Sequence, residues 1–244
     1  YNQFYAIKRC QKRLARNKGG IVWHTHGSGK SLTMVWLTKW ILENIIGARV
    51  LIITDREELD DQIEKIFTGV DLQIARSKSS DDLLNLLNNY DSRLMCSLIH
   101  KFCRRTGEVS DLDYEKYVEE LKKTIPVGFS VKDKVFVFVD ECHRTNSGKL
   151  HLAMKSIMPD SVFIGFTGTP LLKVDKEQKT TATLFGGFIH TYKFDQAVRD
   201  GVVLDLRYEA RNVPQKVSSK DKIDAWFEAK TKGLMPKATA ALKA

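Results

Sequence analysis

Long apolar runs are missing from this 244-residue chain: nowhere do the roughly 18–20 uninterrupted apolar residues needed to span a bilayer occur, so no membrane partner is expected. Residues Tyr1 to Gly20 are polar and basic and lack the apolar stretch of a secretory signal. The chain opens on Tyr1 rather than Met, which suggests a fragment or a processed product. Cysteine is scarce and unpatterned. Cys10, Cys96, Cys103 and Cys142 show no Cys-x-x-Cys spacing, which argues against a zinc ribbon or a redox pair and for reduced thiols in a cytoplasmic protein. Acidic residues are outnumbered, 30 against 39 Lys and Arg, for a net charge of +9. Such a surplus raises affinity for a phosphate backbone through counterion release, without sequence preference. A solvated basic surface would give the same count, so charge alone leaves the partner open.

What is present is an alternation of short apolar runs and amphipathic stretches, with 43% apolar residues, enough for one large domain or two small ones. Strands are expected at 20–24, 50–54, 94–98, 134–140 and 161–167. Helices are expected at 2–14, 30–46, 57–67, 81–88, 114–123, 150–157 and 221–232. Val135-Phe136-Val137-Phe138-Val139 is apolar at every position, as in a strand covered on both faces. The alternation implies an α/β fold, a parallel sheet with helices on both faces, whose functional groups gather at the carboxyl ends of the strands. A charged surface excursion is expected over 104–133. Beyond Asn212 the pattern fades, so 1–211 reads as the domain and 212–244 as a connecting segment.

Three segments carry chemistry, each at the end of one of these strands. The first is Gly20-Ile21-Val22-Trp23-His24-Thr25-His26-Gly27-Ser28-Gly29-Lys30-Ser31, a strand, a glycine-rich turn and a Lys-Ser pair opening a helix. Gly27 and Gly29 let the backbone N–H groups around Ser28 turn inward and cradle phosphate oxygens, and the helix dipole adds to them. Lys30 would reach the β- and γ-phosphates of a nucleoside triphosphate, and the Ser31 hydroxyl would ligate Mg²⁺. His24 stands where the common pattern has glycine. A His pair at i, i+2 in such a loop reads as structural rather than metal-binding. The second segment, Val139-Asp140-Glu141-Cys142-His143, follows the all-apolar strand. Asp140 would hold Mg²⁺ and Glu141 would orient and deprotonate an attacking water. Cys142 reads as a packed small residue, not a nucleophile. The third, Phe166-Thr167-Gly168-Thr169-Pro170, brackets a glycine with two hydroxyls able to bond His143 and Glu141, and so could relay a phosphate-dependent shift. As a bare sequence it would also serve as an ordinary turn.

In this order the segments resemble the first RecA-like lobe of superfamily 2 helicases and translocases, and more closely the motor (R) subunit of type I restriction enzymes. The phosphate loop from Val22 to Met34 is similar almost throughout. Thr54 to Gln62, Ser97 to Phe102, and Asp200-Gly201-Val202-Val203 with Tyr208-Glu209 resemble further motifs, and the likeness covers roughly 1–212. The resemblance implies a P-loop NTPase lobe using ATP and Mg²⁺, with double-stranded DNA and the specificity and modification subunits of a type I complex as partners. It implies that Gln3 reads adenine and that Arg56 and Lys101 touch the DNA backbone. Arg56, followed by Glu57 and Glu58, could equally start a helix with a salt bridge.

That family also carries a nuclease domain ahead of the phosphate loop and a second motor lobe after the first. No convincing Asp…(Asp/Glu)-x-Lys signature and no second lobe are found in these residues, so the isolated lobe is expected to be inactive in hydrolysis. A lobe of a strand-separating helicase, or a nucleotide-gated DNA-binding module without turnover, remain the alternatives.

Overall fold

The computed structural model describes residues 1–54, 57–98, 125–126, 128–144, 149–170, 181–206 and 219–233. The chain divides into two compact units, Tyr1–Asp205 and Leu206–Ala244. The first unit runs α1 (Asn2–Leu14), β1 (Gly20–His24), α2 (Lys30–Asn44), β2 (Ala48–Thr54), α3 (Glu57–Thr68), β3 (Ala75–Arg76), α4 (Ser80–Asn88), β4 (Leu94–Leu98), β5 (Lys134–Val139), α5 (Lys149–Ile157), β6 (Val162–Thr167), α6 (Thr181–Phe185), β7 (Phe188–Tyr192) and α7 (Phe194–Arg199). The second unit holds α8 (Lys220–Thr231).

Seven strands form one sheet in the order β3-β4-β2-β5-β6-β1-β7, and every pairing is parallel. Parallel neighbours need crossovers, and the helices that supply them bury both faces of the sheet. The two-residue period of a strand then divides the apolar residues of β5 between two cores. Phe136 and Phe138 join Ala6 and Cys10 of α1, Met34 and Ile41 of α2 and Phe67 of α3 on one side. Val135, Val137 and Val139 join Leu83 and Leu87 of α4, Met154 of α5 and Phe185 of α6 on the other. The continuous apolar run of β5 is therefore two half-runs facing opposite helix layers.

The topology sets the site. β5, β6 and β1 are consecutive across the sheet, with Val139 in register with Gly165 and Trp23 with Thr167. All three chemical segments leave neighbouring strands at one edge. Cys142–Arg144 turns over β6 so closely that a Cβ on Gly165 would lie 2.6 Å from the Cys142 sulfur, so this strand position needs glycine.

The expected strands and helices are present where the residues are described, with ends shifted by a few positions: α2 stops at Asn44, and β2 begins at Ala48. The expected helix at 114–123, most of the 104–133 excursion, Arg56 and Lys101 lie outside the described residues. The sequence reading missed β3, β7, α6 and α7. β7 is an edge strand, Phe-Ile-His-Thr-Tyr, whose polar residues hide the periodicity because one of them, the half-buried His190, is matched by the buried His24.

Candidate active site

The phosphate loop begins where β1 ends. Gly27 (φ +76°) and Gly29 (φ +86°) both occupy the left-handed region, and Gly29 is the residue from which α2 starts. Ser28 between them is buried, its hydroxyl donating to the Thr25 carbonyl at 2.6 Å, which closes the loop on itself. Thr33 donates to the Gly29 carbonyl at 3.1 Å and ties the loop to the first turn of α2. From α1, Asn2 Nδ2 and Gln3 Nε2 both donate to the Ser28 carbonyl, at 3.0 and 2.9 Å. A Cβ on Gly29 would come within 2.6 Å of the Gln3 amide. Gln3, Gly27, Ser28, Gly29 and Lys30 thus converge, with Ser31 beside Lys30 in the first turn of α2. This is a cradle with open backbone donors at the positive end of a 15-residue helix, the form that anionic phosphates fit.

Glu141 faces the cradle. Its Oε1 lies 3.6 Å from Lys30 Nζ and 3.7 Å from His26 Nδ1, and its Oε2 lies 3.3 Å from His143 Nδ1. The backbone of Glu141 has φ +43°, which costs a non-glycine residue about 1–3 kcal/mol. Its N–H donates to Asp140 Oδ1 at 2.9 Å, which holds the turn in that shape. The Glu141 Oε2 is buried with no hydrogen-bond partner of normal geometry among the described residues. A buried carboxylate oxygen without a donor is costly, and an attacking water would satisfy it. Asp140 is 6% exposed at the end of β5, and its backbone N–H continues the sheet ladder to Ile53.

His143 links this pair to the third segment. Its Nδ1 is 2.7 Å from Thr167 Oγ1 and its Nε2 is 3.4 Å from Thr169 Oγ1, while the Thr169 N–H donates to Thr167 Oγ1 at 3.1 Å. The chain Lys30–Glu141–His143–Thr167 is continuous. Cys142 faces the interior, its thiol pushed well above the ordinary range by burial and then by the Asp140 and Glu141 charges, so it is no nucleophile.

The two loop histidines have unrelated environments. His24 turns inward, fully buried, its Nε2 2.7 Å from His190 Nδ1 on β7 and its ring edge-on to Tyr192. Burial, His190 and Lys30, in that order, hold its pKa down at about 3, so it is neutral and one ring nitrogen must donate to the other ring. His24 therefore replaces the usual loop glycine by a side chain that β7 accommodates. His26 turns the other way, toward Glu141. Among the described residues no group of three His, Cys, Asp or Glu has metal-binding geometry. The sequence reading did not single out Trp23, His190 or Tyr192. The signal for His190 and Tyr192 is a pair of hydrogen-bonding rings in the short strand Phe-Ile-His-Thr-Tyr.

Residues 2–240 match the family model of the SWI2/SNF2 ATPases. A type I restriction enzyme endonuclease subunit of Staphylococcus aureus, SauMSSORF170P, is 29% identical over 231 residues, covering 93% of this chain and 23% of that protein. The HindI endonuclease subunit of Haemophilus influenzae is 27% identical over 256 residues, 94% of this chain and 23% of that protein. The chain spans 20–23% of the length of such curated relatives. In fold it resembles the type ISP restriction-modification enzyme LlaGI, solved as a nuclease-deletion mutant with a DNA substrate mimic (TM-score 0.58, 14% identity, 99% of this chain and 23% of that one). The phosphate loop, the acidic strand end and the RecA-like sheet that joins them, together with a family match over nearly the whole chain, make this protein a member of the SWI2/SNF2 ATPase family.

Proposed function

We propose that this chain is the first motor lobe of an ATP-dependent double-stranded DNA translocase of the type I restriction kind, working in the cytoplasm beside specificity and modification subunits. One observation carries the catalytic part of this reading: the continuous contact from Lys30 through Glu141 and His143 to Thr167, across three adjacent strand ends. The length and kind of the curated relatives support the translocase part.

In this reading the backbone of Gly27, Ser28 and Gly29 holds the phosphates, and Lys30 neutralises the outer two. Ser31 and Asp140 hold Mg²⁺, which when bound spreads the phosphate charge and orients the triphosphate. Gln3, already seated against the loop, presents its remaining amide polarity to adenine. Glu141 takes the proton of the attacking water on the oxygen that lacks a donor, and Lys30 and His143 keep the carboxylate aimed. His143 passes changes at Glu141 to Thr167, Gly168 and Thr169. Arg56 and Lys101 take the DNA backbone. An arginine from a second lobe completes hydrolysis, a contribution on the order of 10³–10⁵ in rate, so this chain alone binds nucleotide without turning it over.

The test is calorimetric Mg-ATP binding to this chain beside Lys30→Ala, with phosphate release followed in the same samples with and without duplex DNA. Binding that needs Lys30, without phosphate release, is the expected result. Binding indifferent to Lys30 would overturn the site. In the complete motor subunit, DNA-stimulated hydrolysis with displacement of a bound third strand and no separation of the duplex is expected. Strand separation would redirect the reading to a helicase.

A further inference from the structure

His26 has a seat that no phosphate-binding role requires. Its Nδ1 approaches Glu141 Oε1, and the far side of its ring rests on Gly168. A Cβ built on Gly168 would lie 2.9 Å from His26 Cδ2, 2.9 Å from Nε2 and 3.3 Å from Cε1, and these three are its nearest neighbours. Gly168 does not have the positive φ that would itself call for glycine. The missing side chain at 168 thus makes room for the His26 ring. Three residues earlier in the same segment, Trp23 Nε1 donates to the Gly168 carbonyl at 3.0 Å. Trp23 is held in turn by Phe188 at 5.5 Å between ring centroids and by Lys193, whose Nζ lies 5.2 Å from its ring. Gly168 is therefore held through its carbonyl by Trp23 and through its Cα side by His26, both from the phosphate-loop segment.

We infer that His26 is a positioning residue that ties the phosphate loop directly to the Thr-Gly-Thr loop and holds Glu141 from a third side. This link runs parallel to the route through His143. It rests on the reading of the site as an ATPase, since it concerns how that site is wired. The physical content is steric. When the loop adjusts to a triphosphate, the His26 ring moves with it, and Gly168 must follow because Trp23 prevents it from opening away. Two imidazoles, His26 and His143, then approach different oxygens of one carboxylate, so the direction in which Glu141 points depends on both loops at once.

The experiment is a double-mutant cycle in the complete motor subunit with His26→Ala, Gly168→Ala and the pair, measuring kcat and KM for ATP with duplex DNA. Gly168→Ala evicts the ring that His26→Ala deletes, so both singles share one defect. Each is expected to lower kcat by about tenfold with KM within about twofold, and the pair should be no worse than either single, a departure from additivity of the size neighbouring residues show. Losses that multiply to about a hundredfold in the pair, or a His26→Ala kcat equal to wild type, would overturn the inference.

A second readout needs no turnover. In heteronuclear spectra of this chain, the His26 ring resonances should move in Gly168→Ala while those of buried His151 stay in place. Unmoved His26 resonances would refute the contact. Lys30→Ala separates this inference from the ATPase reading. If wild type and Lys30→Ala bind Mg-ATP alike, the ATP site is wrong, and the His26 spectrum still decides whether the ring sits on Gly168.

Discussion

The two edges of the sheet solve the problem of buried charge in opposite ways. At the amino edge, Arg49 near the start of β2 is 1% exposed, yet its guanidinium is fully occupied. It donates to the carbonyls of Ser92 (2.9 Å), Leu87 (3.0 Å), Lys132 (3.3 Å) and Leu86. Leu86 and Leu87 lie in the last turn of α4, so a cation sits at the negative end of a helix dipole. At the carboxyl edge, Glu141 stands among Lys30, His26 and His143 at 3.3–3.7 Å, with a buried oxygen that lacks a hydrogen bond among the described residues and a backbone in a costly conformation. One edge is saturated and structural; the other is left short of partners, the form of a site prepared for a ligand. Cavity volume does not separate them, since a cavity of about 790 Å³ lined by Phe129, Asp133, Lys134 and Pro159 opens at the amino edge. Unsatisfied chemistry does.

The largest expected effect breaks the contrast at its reactive end. Glu141→Gln keeps the shape and removes the proposed base, so on the proposed function DNA-stimulated phosphate release in the complete subunit should fall by about 10²–10⁴. ATP affinity should stay within a few fold and the unfolding midpoint should hardly move. A loss below tenfold would mean that another group takes the proton. Arg49→Met tests the other edge, and the expected pattern inverts. Carbonyls left without donors in a dry site should cost about 3 kcal/mol in denaturant unfolding, while Mg-ATP affinity is unchanged. A parallel loss of affinity would show that the two edges are coupled through the sheet.

Much of this was legible in the residues, and for a physical reason. β5 is apolar at every position from Val135 to Val139, and buried parallel strands require that; the phosphate loop needs glycine at left-handed positions, and Gly27 and Gly29 supply it. Arg49 was not legible. In sequence it is one of 39 basic residues, and its burial depends on α4 ending beside β2, a tertiary fact without local signature. His24 and His26 were read as a structural pair, yet their side chains diverge, one to β7 and one to Glu141. Residues i and i+2 point to opposite sides once a strand gives way to a turn, and sequence spacing alone does not say what each side meets.

Between the edges lies a third kind of burial, a neutral imidazole held mainly by aromatic packing. His151 on α5 is 1% exposed and packed between Phe163 and Phe185, with the Leu184 backbone beside its ring. Burial first, then the Lys155 charge, moves its pKa down from 6.5 to about 4. Above pH 6.5 folded and unfolded chains both hold it neutral and stability is unaffected. Between 6.5 and 4 only the unfolded chain takes the proton, so stability falls with pH, by about 2 kcal/mol at pH 5 for this residue. His24 adds a loss of the same sign over a wider range. His151→Leu should therefore match or exceed wild-type stability at pH 7.5 and lose about 2 kcal/mol less on acidification to pH 5. An acid profile identical to wild type would show that His151 is protonated in the folded chain.

The smallest effect sharpens the picture of the saturated edge, because α4 is capped at both ends by different means. At its amino end Ser79 accepts the Asp82 N–H at 3.1 Å, and Asp82 Oδ2 accepts the Lys78 N–H at 2.7 Å, both exposed. Ser79→Ala removes one neutral, solvated bond and leaves the Asp81 and Asp82 charges on the dipole, so the expected cost is about 1 kcal/mol, against about 3 for Arg49→Met at the far end. The caps lie a nine-residue helix apart, roughly 13 Å at 1.5 Å per residue, and share no partner. Their costs should then add to within about 0.5 kcal/mol in denaturant titration of the double variant. If the double costs clearly less than the sum, α4 has already detached in one single variant. The buried arginine would then act by holding the whole helix on the sheet rather than by satisfying four carbonyls one at a time.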